Sequence, residues 1–267
     1  MCDTGYMNKF TLITGASSGI GLEFARIATR EKRNLLLIAR DEPKLLELQK
    51  EILSQKQAKN NKLQVEVLAI DLSKNNSAQK VLEFCEKKNI FINELINNAG
   101  FGDYGNFADS KLATQISMIN LNIKTVTELT HLLLPEMINQ KEGRVLTMGS
   151  VAAFLPGPLM SVYFATKNYV LSFSRALHEE LRGSGVTVTC LCPGPTNTGF
   201  GKAAHVSETH STAHPKTTAR EVAEFGWYQM QTGEPVAIYG TGNKISIFMT
   251  KFVPRNLLPR LVKRIQK

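Results

Sequence analysis

Residues 10–21 read Phe-Thr-Leu-Ile-Thr-Gly-Ala-Ser-Ser-Gly-Ile-Gly, and this stretch decides the fold. The strand-like run Phe10–Thr14 breaks into a turn carrying Gly15, Gly19 and Gly21, and a helical pattern follows from Leu22 to Thr29. A strand that feeds a helix through glycines lets backbone N–H groups approach a pyrophosphate, while the helix N-terminus adds partial positive charge. The spacing is GxxxGxG rather than GxGxxG, so taken alone it also fits a plain tight turn.

Outward from this turn, short β-rich runs alternate with longer helical patterns, as βαβ units around a parallel sheet require. Seven strands are expected: Phe10–Thr14, Asn34–Ala39, Gln64–Ile70, Glu94–Asn97, Arg144–Met148, Val186–Leu191 and Pro235–Tyr239. Their bulky apolar runs fit strands covered by helices on both faces. The clearest helix is Pro43–Ser54, with Leu45, Leu46, Leu48, Ile52 and Leu53 as its apolar face and Asp41 as its N-cap. No repeat or Pro/Gly-rich linker divides the 267 residues, which reads as a single α/β domain over 1–267 with a doubly wound, seven-stranded parallel sheet. The stretch 199–216, rich in Ser, Thr, His and Ala, has no clear period and reads as a lid-like loop.

Composition narrows the function classes. No window approaches the roughly 18 apolar residues of a spanning helix, and the first ten residues lack the apolar stretch of a secretory signal. A cytoplasmic protein is therefore expected. Cys2, Cys85, Cys190 and Cys192 show neither CxxC spacing nor a disulfide framework, and no metal site is expected. The net charge of +9 could attract an anionic partner, yet Lys and Arg are spread along the chain without an aromatic-basic cassette, which argues against nucleic acid.

Chemistry is suggested by Tyr163 and Lys167, four apart in a helical pattern and so on one face. An ammonium about 5 Å from a phenol, at an effective dielectric near 20, favours phenolate by roughly 3 kcal/mol, or about two pKa units. Ser150, at the end of the fifth strand, is placed to bond the same substrate oxygen. These residues join three further motifs in fixed order: Thr14–Gly21, Asn97-Asn98-Ala99-Gly100 and Pro193-Gly194. Each follows the carboxyl end of a strand, where ligands of open α/β sheets bind.

Taken together, the motifs resemble the short-chain dehydrogenase/reductase family over essentially the whole chain. The resemblance implies an enzyme that moves a hydride between a nicotinamide cofactor and a carbonyl or alcohol, with Tyr163 as proton donor and acceptor. It implies Asn120, Ser150, Tyr163 and Lys167 as catalytic residues. Asn120 matches the family's helix asparagine that anchors a water beside the lysine, with Asn122 the weaker candidate. Cofactor contacts are implied for Gly15, Ser17, Ser18, Gly19, Ile20 and Gly21, for Arg40, Asp71 and Leu72, and for Asn98, Ala99 and Gly100. Tyr163, Lys167, Pro193, Gly194, Thr196 and Thr198 complete that set. The family also implies a homo-oligomer.

At the end of the second strand Ala39 stands where NAD-users place a carboxylate, and Arg40 follows at once; Asp41 is the rival carboxylate, preferred as an N-cap because Pro43 and an apolar-periodic helix follow it. That pattern resembles members whose arginine meets the 2′-phosphate of NADP, so NADPH is expected in preference to NADH. Carbonyl reduction is the expected direction, because cellular NADP is largely reduced. Phe101, Tyr104, Phe154, Leu155, Pro156 and Phe200 flank the motifs and suggest a partly apolar substrate.

Other readings fit less well. Ser150 lies in Met-Gly-Ser-Val-Ala rather than GxSxG, and the glycine turn lacks the lysine of a phosphate-transfer loop. His205, His210 and His214 lie in the lid without a tight ligand pair. A catalytically silent nicotinamide-binding sensor is the remaining alternative, although such a protein would be marked by loss of Tyr163 or Lys167. The C-terminal segment 248–267 carries Lys251, Arg255, Arg260, Lys263, Arg264 and Lys267 and no acid, interspersed with Phe252, Leu257, Leu261 and other apolar residues. It suits an anionic membrane surface. Pro254 and Pro259 would cut an interfacial helix short, so a terminal helix packed on the domain or on an oligomer partner is the preferred reading.

Overall fold

In a computed structural model of the protein, residues 8–204 and 217–266 are described. Seven strands, β1 (Asn8–Thr14), β2 (Asn34–Ala39), β3 (Val65–Ala69), β4 (Ile90–Asn97), β5 (Gly143–Met148), β6 (Val186–Cys192) and β7 (Val236–Ile238), form one sheet in the order 3-2-1-4-5-6-7. All six neighbouring pairs are parallel. The chain winds outward from β1 to β3, returns to β4 and winds outward again, so the strand order reverses between β1 and β4. This makes the doubly wound Rossmann-type architecture, with its crevice at the carboxyl ends of those two strands.

The helices are α1 (Gly19–Arg30), α2 (Glu42–Ser54), α3 (Lys56–Asn60), α4 (Ser77–Lys87), α5 (Leu112–Ile119), α6 (Thr125–Asn139), α7 (Ser161–Glu180), α8 (Phe200–Ala203), α9 (Ala219–Thr232), α10 (Thr241–Thr250) and α11 (Leu258–Ile265). Successive strand residues point to opposite faces, and both faces are apolar because both are covered. Ile13, Leu35, Leu37, Ile96, Leu146 and Leu191 meet α1, α2 and α9 through Phe24, Leu45 and Trp227. Their neighbours Leu12, Leu36, Ile38, Leu95, Val145 and Val188 meet α4, α6 and α7 through Val81, Leu129 and Leu181. Among the described residues no helix is long and apolar enough to cross a membrane.

Two expectations shift. In α2 only Leu45, Leu48 and Ile52 are buried, while Leu46 and Leu53 lie at the exposed flank. Strand β4 starts at Ile90, four residues earlier than the apolar run suggests, because Asn93 and Glu94 interrupt that run from inside the fold. Glu94 is fully buried. Its carboxylate accepts hydrogen bonds from Thr11 Oγ1 at 2.6 Å and Gln231 Nε2 at 2.9 Å, with an Arg33 guanidinium nitrogen at 3.4 Å. A carboxylate with that many partners can occupy a sheet centre, but removing it strands all of them. Glu94→Ala is expected to destabilise the protein by about 3–5 kcal/mol, read as a lower urea midpoint in equilibrium unfolding, with the far-ultraviolet spectrum of the folded form unchanged.

Candidate active site

The crevice is built around Thr14, the last residue of β1. Its hydroxyl accepts the N–H groups of Asn98 and Ala99, each at 2.9 Å, just past the end of β4. Asn98 Nδ2 donates back to the carbonyls of Thr14 at 2.9 Å and Gly15 at 3.3 Å. The glycine turn and the Asn97–Gly100 motif are thereby locked side by side. The approach is tight enough that a Cβ on Gly21 would enter the Gly15 carbonyl oxygen, which explains a glycine in the first turn of α1. Ser18 precedes α1 in extended conformation, and its hydroxyl makes no capping bond to the helix.

From the other side, Thr198 comes within van der Waals reach of Gly19, measured from where a glycine Cβ would stand, at 3.5 Å. The Pro193 carbonyl accepts from Val151 N at 3.0 Å, tying the segment after β6 to the one after β5. The glycine turn, the end of β4 and the Pro193–Thr198 segment therefore wall one cleft.

Ser150, Tyr163 and Lys167 lie beside these segments. Ser150 follows β5, and its Oγ accepts from Ala152 N at 3.1 Å. Tyr163 and Lys167 lie one turn apart on α7, with Lys167 Nζ 5.7 Å from the Tyr163 ring centroid. Burial pushes the Tyr163 phenol up to about 12, and a hydrogen bond with Ser150 offsets only part of this. The same enclosure pushes the Lys167 ammonium down to about 8, against the pull of the Cys190 and Cys192 sulfurs. The expectation that Lys167 draws the phenol toward neutral pH is not met, because burial outweighs the other influences on Tyr163. Lys167 Nζ instead donates to the Met148 carbonyl at 2.7 Å, and loss of water outweighs the attraction between the two groups.

Asn122 completes the cluster. Its Oδ1 accepts from Phe101 N at 3.2 Å, and its Nδ2 donates to the Phe101 carbonyl at 3.0 Å and to Thr166 Oγ1 at 3.1 Å. A Cβ on Gly100 would stand 3.0 Å from Asn122 Oδ1 and 3.6 Å from Lys167 Nζ, so the asparagine amide and the lysine share one small space. Beyond Tyr163 the wall is apolar. Phe200 lies 5.3 Å from its ring, and Leu155, Met160, Phe164 and Val262 pack around it. Phe200 opens the short helix α8, where a loop was expected, and residues 205–216 of the expected lid, with His205, His210 and His214, lie outside the described residues.

At the carboxyl end of β2, Arg40 is exposed. Asp41 is an N-cap as expected: its carboxylate accepts from Lys44 N at 3.1 Å and pairs with Lys44 Nζ at 2.7 Å. Asp71 follows β3. Burial raises its carboxyl, but hydrogen bonds from the Ser73 hydroxyl and N–H, with the charges of Arg40 and Lys74, outweigh this and hold it below the usual carboxylate range.

The sequence pattern of the short chain dehydrogenase family matches residues 9–208. The chain belongs to the short-chain dehydrogenase family. An uncharacterized oxidoreductase of Staphylococcus saprophyticus is 30% identical over 227 residues, covering 84% of this chain and 92% of that protein. A very-long-chain 3-oxoacyl-CoA reductase of Anas platyrhynchos is 28% identical, covering 97% of this chain and 82% of that one. Among solved structures, a short-chain dehydrogenase from Sphingobium yanoikuyae in complex with NADPH superposes with a TM-score of 0.78 at 29% identity, covering 91% of this chain and 94% of that chain.

Within this short-chain dehydrogenase, the helix asparagine beside the lysine is Asn122, not Asn120 as expected. The cause is local geometry: residues 120–124 form a π-helical turn between α5 and α6, and Asn122 falls on the buried face with Met118, Val126 and Leu129, while Asn120 is part-exposed. That spacing of 118, 122, 126 and 129 was readable as a helical stripe; resemblance to a short motif pointed two residues away. Asn122→Ala is expected to free the Phe101 backbone and lower stability by about 1–3 kcal/mol, whereas Asn120→Ala stays within about 0.5 kcal/mol. Thermal unfolding of the two variants checks the assignment.

Proposed function

We propose that this short-chain dehydrogenase reduces a partly apolar carbonyl compound with NADPH, and that Tyr163 delivers the proton. The convergence of Tyr163, Ser150 and Lys167 beside the cleft walled by the glycine turn carries this reading. The residues present fit a dinucleotide. The backbone of Gly15–Gly21 and the N-terminus of α1 would hold its pyrophosphate, Arg40 its 2′-phosphate, Asp71 and Leu72 the adenine side. Asn98–Gly100, Lys167 and Pro193–Thr198 would hold the nicotinamide half. When bound, NADPH supplies the hydride that the carbonyl carbon accepts.

The protein's own residues handle the oxygen. Ser150 donates a hydrogen bond to it, which favours the charge that develops there. Tyr163 transfers its phenolic proton to the same oxygen, giving the alcohol and leaving a phenolate. Lys167, still mostly ammonium at neutral pH, stabilises that phenolate and returns a proton toward it, and Asn122 holds the space beside Lys167 for a relaying water. Burial that raises the phenol keeps it protonated at pH 7, as a proton donor must be, so the reductive direction is favoured. Phe200, Met160 and Leu155 favour a ketone with an aliphatic arm, and the avian relative is a very-long-chain 3-oxoacyl-CoA reductase. A silent sensor has no observation in its favour.

Tyr163→Phe is expected to lower turnover by roughly 10²- to 10⁴-fold while NADPH binding, followed by fluorescence titration, stays near normal. In the wild type, kcat/KM for NADPH should fall as pH rises through about 8, where Lys167 loses its proton, with no further loss from Tyr163 until far higher pH. Near-full activity of Tyr163→Phe on a ketone panel would overturn the mechanism.

Cofactor choice is tested at Arg40. Arg40→Leu should raise the Michaelis constant for NADPH by roughly 10- to 100-fold, the worth of one charge-assisted bond, and leave that for NADH almost unchanged. Equal wild-type constants for the two cofactors would sink the NADP assignment.

A further inference from the structure

Basic residues are spread along the chain, but those before residue 235 are largely balanced by acids, so the net excess falls at the end. No acidic residue follows Glu234, while seven basic ones do, so seven of the nine net charges belong to the last 27 residues. The same segment exposes its apolar side chains. Ile245, Phe248, Met249 and Phe252 recur at i, i+3, i+4 and i+7 and form one stripe along α10 and the turn after it. They are 54–69% exposed, and α10 has no buried residue at all. Phe248 and Phe252 pair edge to face with centroids 5.3 Å apart, and Lys251 Nζ lies 5.7 Å from the Phe248 centroid.

Past Pro254 the chain turns into α11, which is anchored on its inner side only. Val262 is buried against Ala152 and Phe164, in the cluster that also holds Tyr163, and Tyr104 Oη donates to the Gln266 carbonyl at 2.7 Å. Leu257, Leu261, Arg260, Lys263 and Arg264 are exposed. Within the terminal segment 248–267, α11 thus packs on the domain by its inner side, whereas Phe248, Met249 and Phe252 stay exposed on this chain.

We propose that the outer face of α10 and α11 docks on an anionic lipid bilayer, with the apolar stripe among the acyl chains and the basic residues at the headgroups. Aromatic and long aliphatic residues flanked by Lys and Arg, without any acid, are what such a surface takes up. A second copy is a poor occupant, because a two-fold contact would set this cationic face against itself. Docking would also bring the wall of the Tyr163 pocket to the lipid, so that an amphiphilic ketone could pass from bilayer to site. That last consequence rests on the reductase reading; the docking does not.

The test is flotation of the full-length protein with vesicles of phosphatidylcholine alone or mixed with phosphatidylglycerol. Binding is expected to the mixed vesicles only, and to be lost at about 1 M salt, where the Debye length is about 3 Å. Each basic residue at the surface contributes roughly a factor of five, so the double variant Lys251→Gln, Arg255→Gln should partition about 25-fold more weakly. Phe248→Ser with Phe252→Ser should abolish binding while the melting temperature holds, since both rings are exposed. Absence of binding, equal binding to both vesicle types, or binding that survives both double variants overturns the proposal. So does light scattering in which Phe248→Ser, Phe252→Ser splits an oligomer, which would make the face a subunit contact. Turnover of a water-soluble ketone, measured alongside, reports on the reductase reading alone, so the two ideas can fail separately.

Discussion

The Thr14 hydroxyl is the joint on which the site is hung. It accepts two N–H groups from the end of β4 and donates to the Ile96 carbonyl at 3.3 Å, so its hydrogen-bonding capacity is used in full. Asn98 returns the tie to the turn after β1. Strands β1 and β4 are far apart in sequence, and between them the chain makes a complete excursion through β2 and β3. Backbone pairing alone leaves their carboxyl ends free to splay, because the last ladder contacts lie just below. The Thr14–Asn98 clamp closes that gap at the point where the strand order reverses. Everything that a dinucleotide would touch, from the glycine turn to Gly100, inherits its position from these few bonds.

Burial then sets the chemistry. A simple Coulomb estimate for an ammonium near a phenol predicts an acidified tyrosine, and it counts only the attraction. Tyr163 is enclosed by Phe200, Met160 and Phe164, and Lys167 is buried and engaged with the Met148 carbonyl. Removing water disfavours both charged forms, so the phenol moves up and the ammonium moves down. The two values move apart, which disfavours a phenolate–ammonium pair and holds the phenol in its protonated form. Both shifts follow from the same enclosure, which places a protonated phenol one helical turn from a weakened cation.

Much of this was legible in the sequence, and the failures have physical causes. The strand-turn-helix at Phe10–Gly21, the seven strands and the Tyr163/Lys167 pair are local patterns, and local periodicity reads them. The start of β4 was lost because Glu94 is polar yet buried, satisfied by Thr11 and Gln231 from elsewhere in the sequence. The helix asparagine was misplaced because a π-helical turn at 120–124 sits between two α-helices, and a motif match does not weigh which face a residue occupies. Leu46 and Leu53 read as part of the buried face because an apolar residue beside a stripe looks like part of it, yet both lie at its exposed flank. For Glu94 the deciding information lies in partners far along the chain, and for the asparagine it lies in the local turn.

The position of Ser150 shows how such distant partners act through residues with no chemistry of their own. Gly149 passes over β6 so closely that a Cβ there would stand 2.8 Å from Cys190 Sγ and 2.9 Å from Cys192 Sγ. The two cysteines are i and i+2 on one strand face, both fully buried, with sulfurs 3.8 Å apart. Thiols suit this place: they are small enough to let the Gly149 backbone descend, and they fill the space beneath it. Branched Val or Ile at either position would lift the chain, and with it the hydroxyl of Ser150 that must lie beside Tyr163. The lysine responds to the same sulfurs, which raise the affinity of Lys167 for its proton against the cost of burial. A pair of residues that reads in the sequence as plain core packing therefore fixes the height of one reacting group and tempers the charge of another.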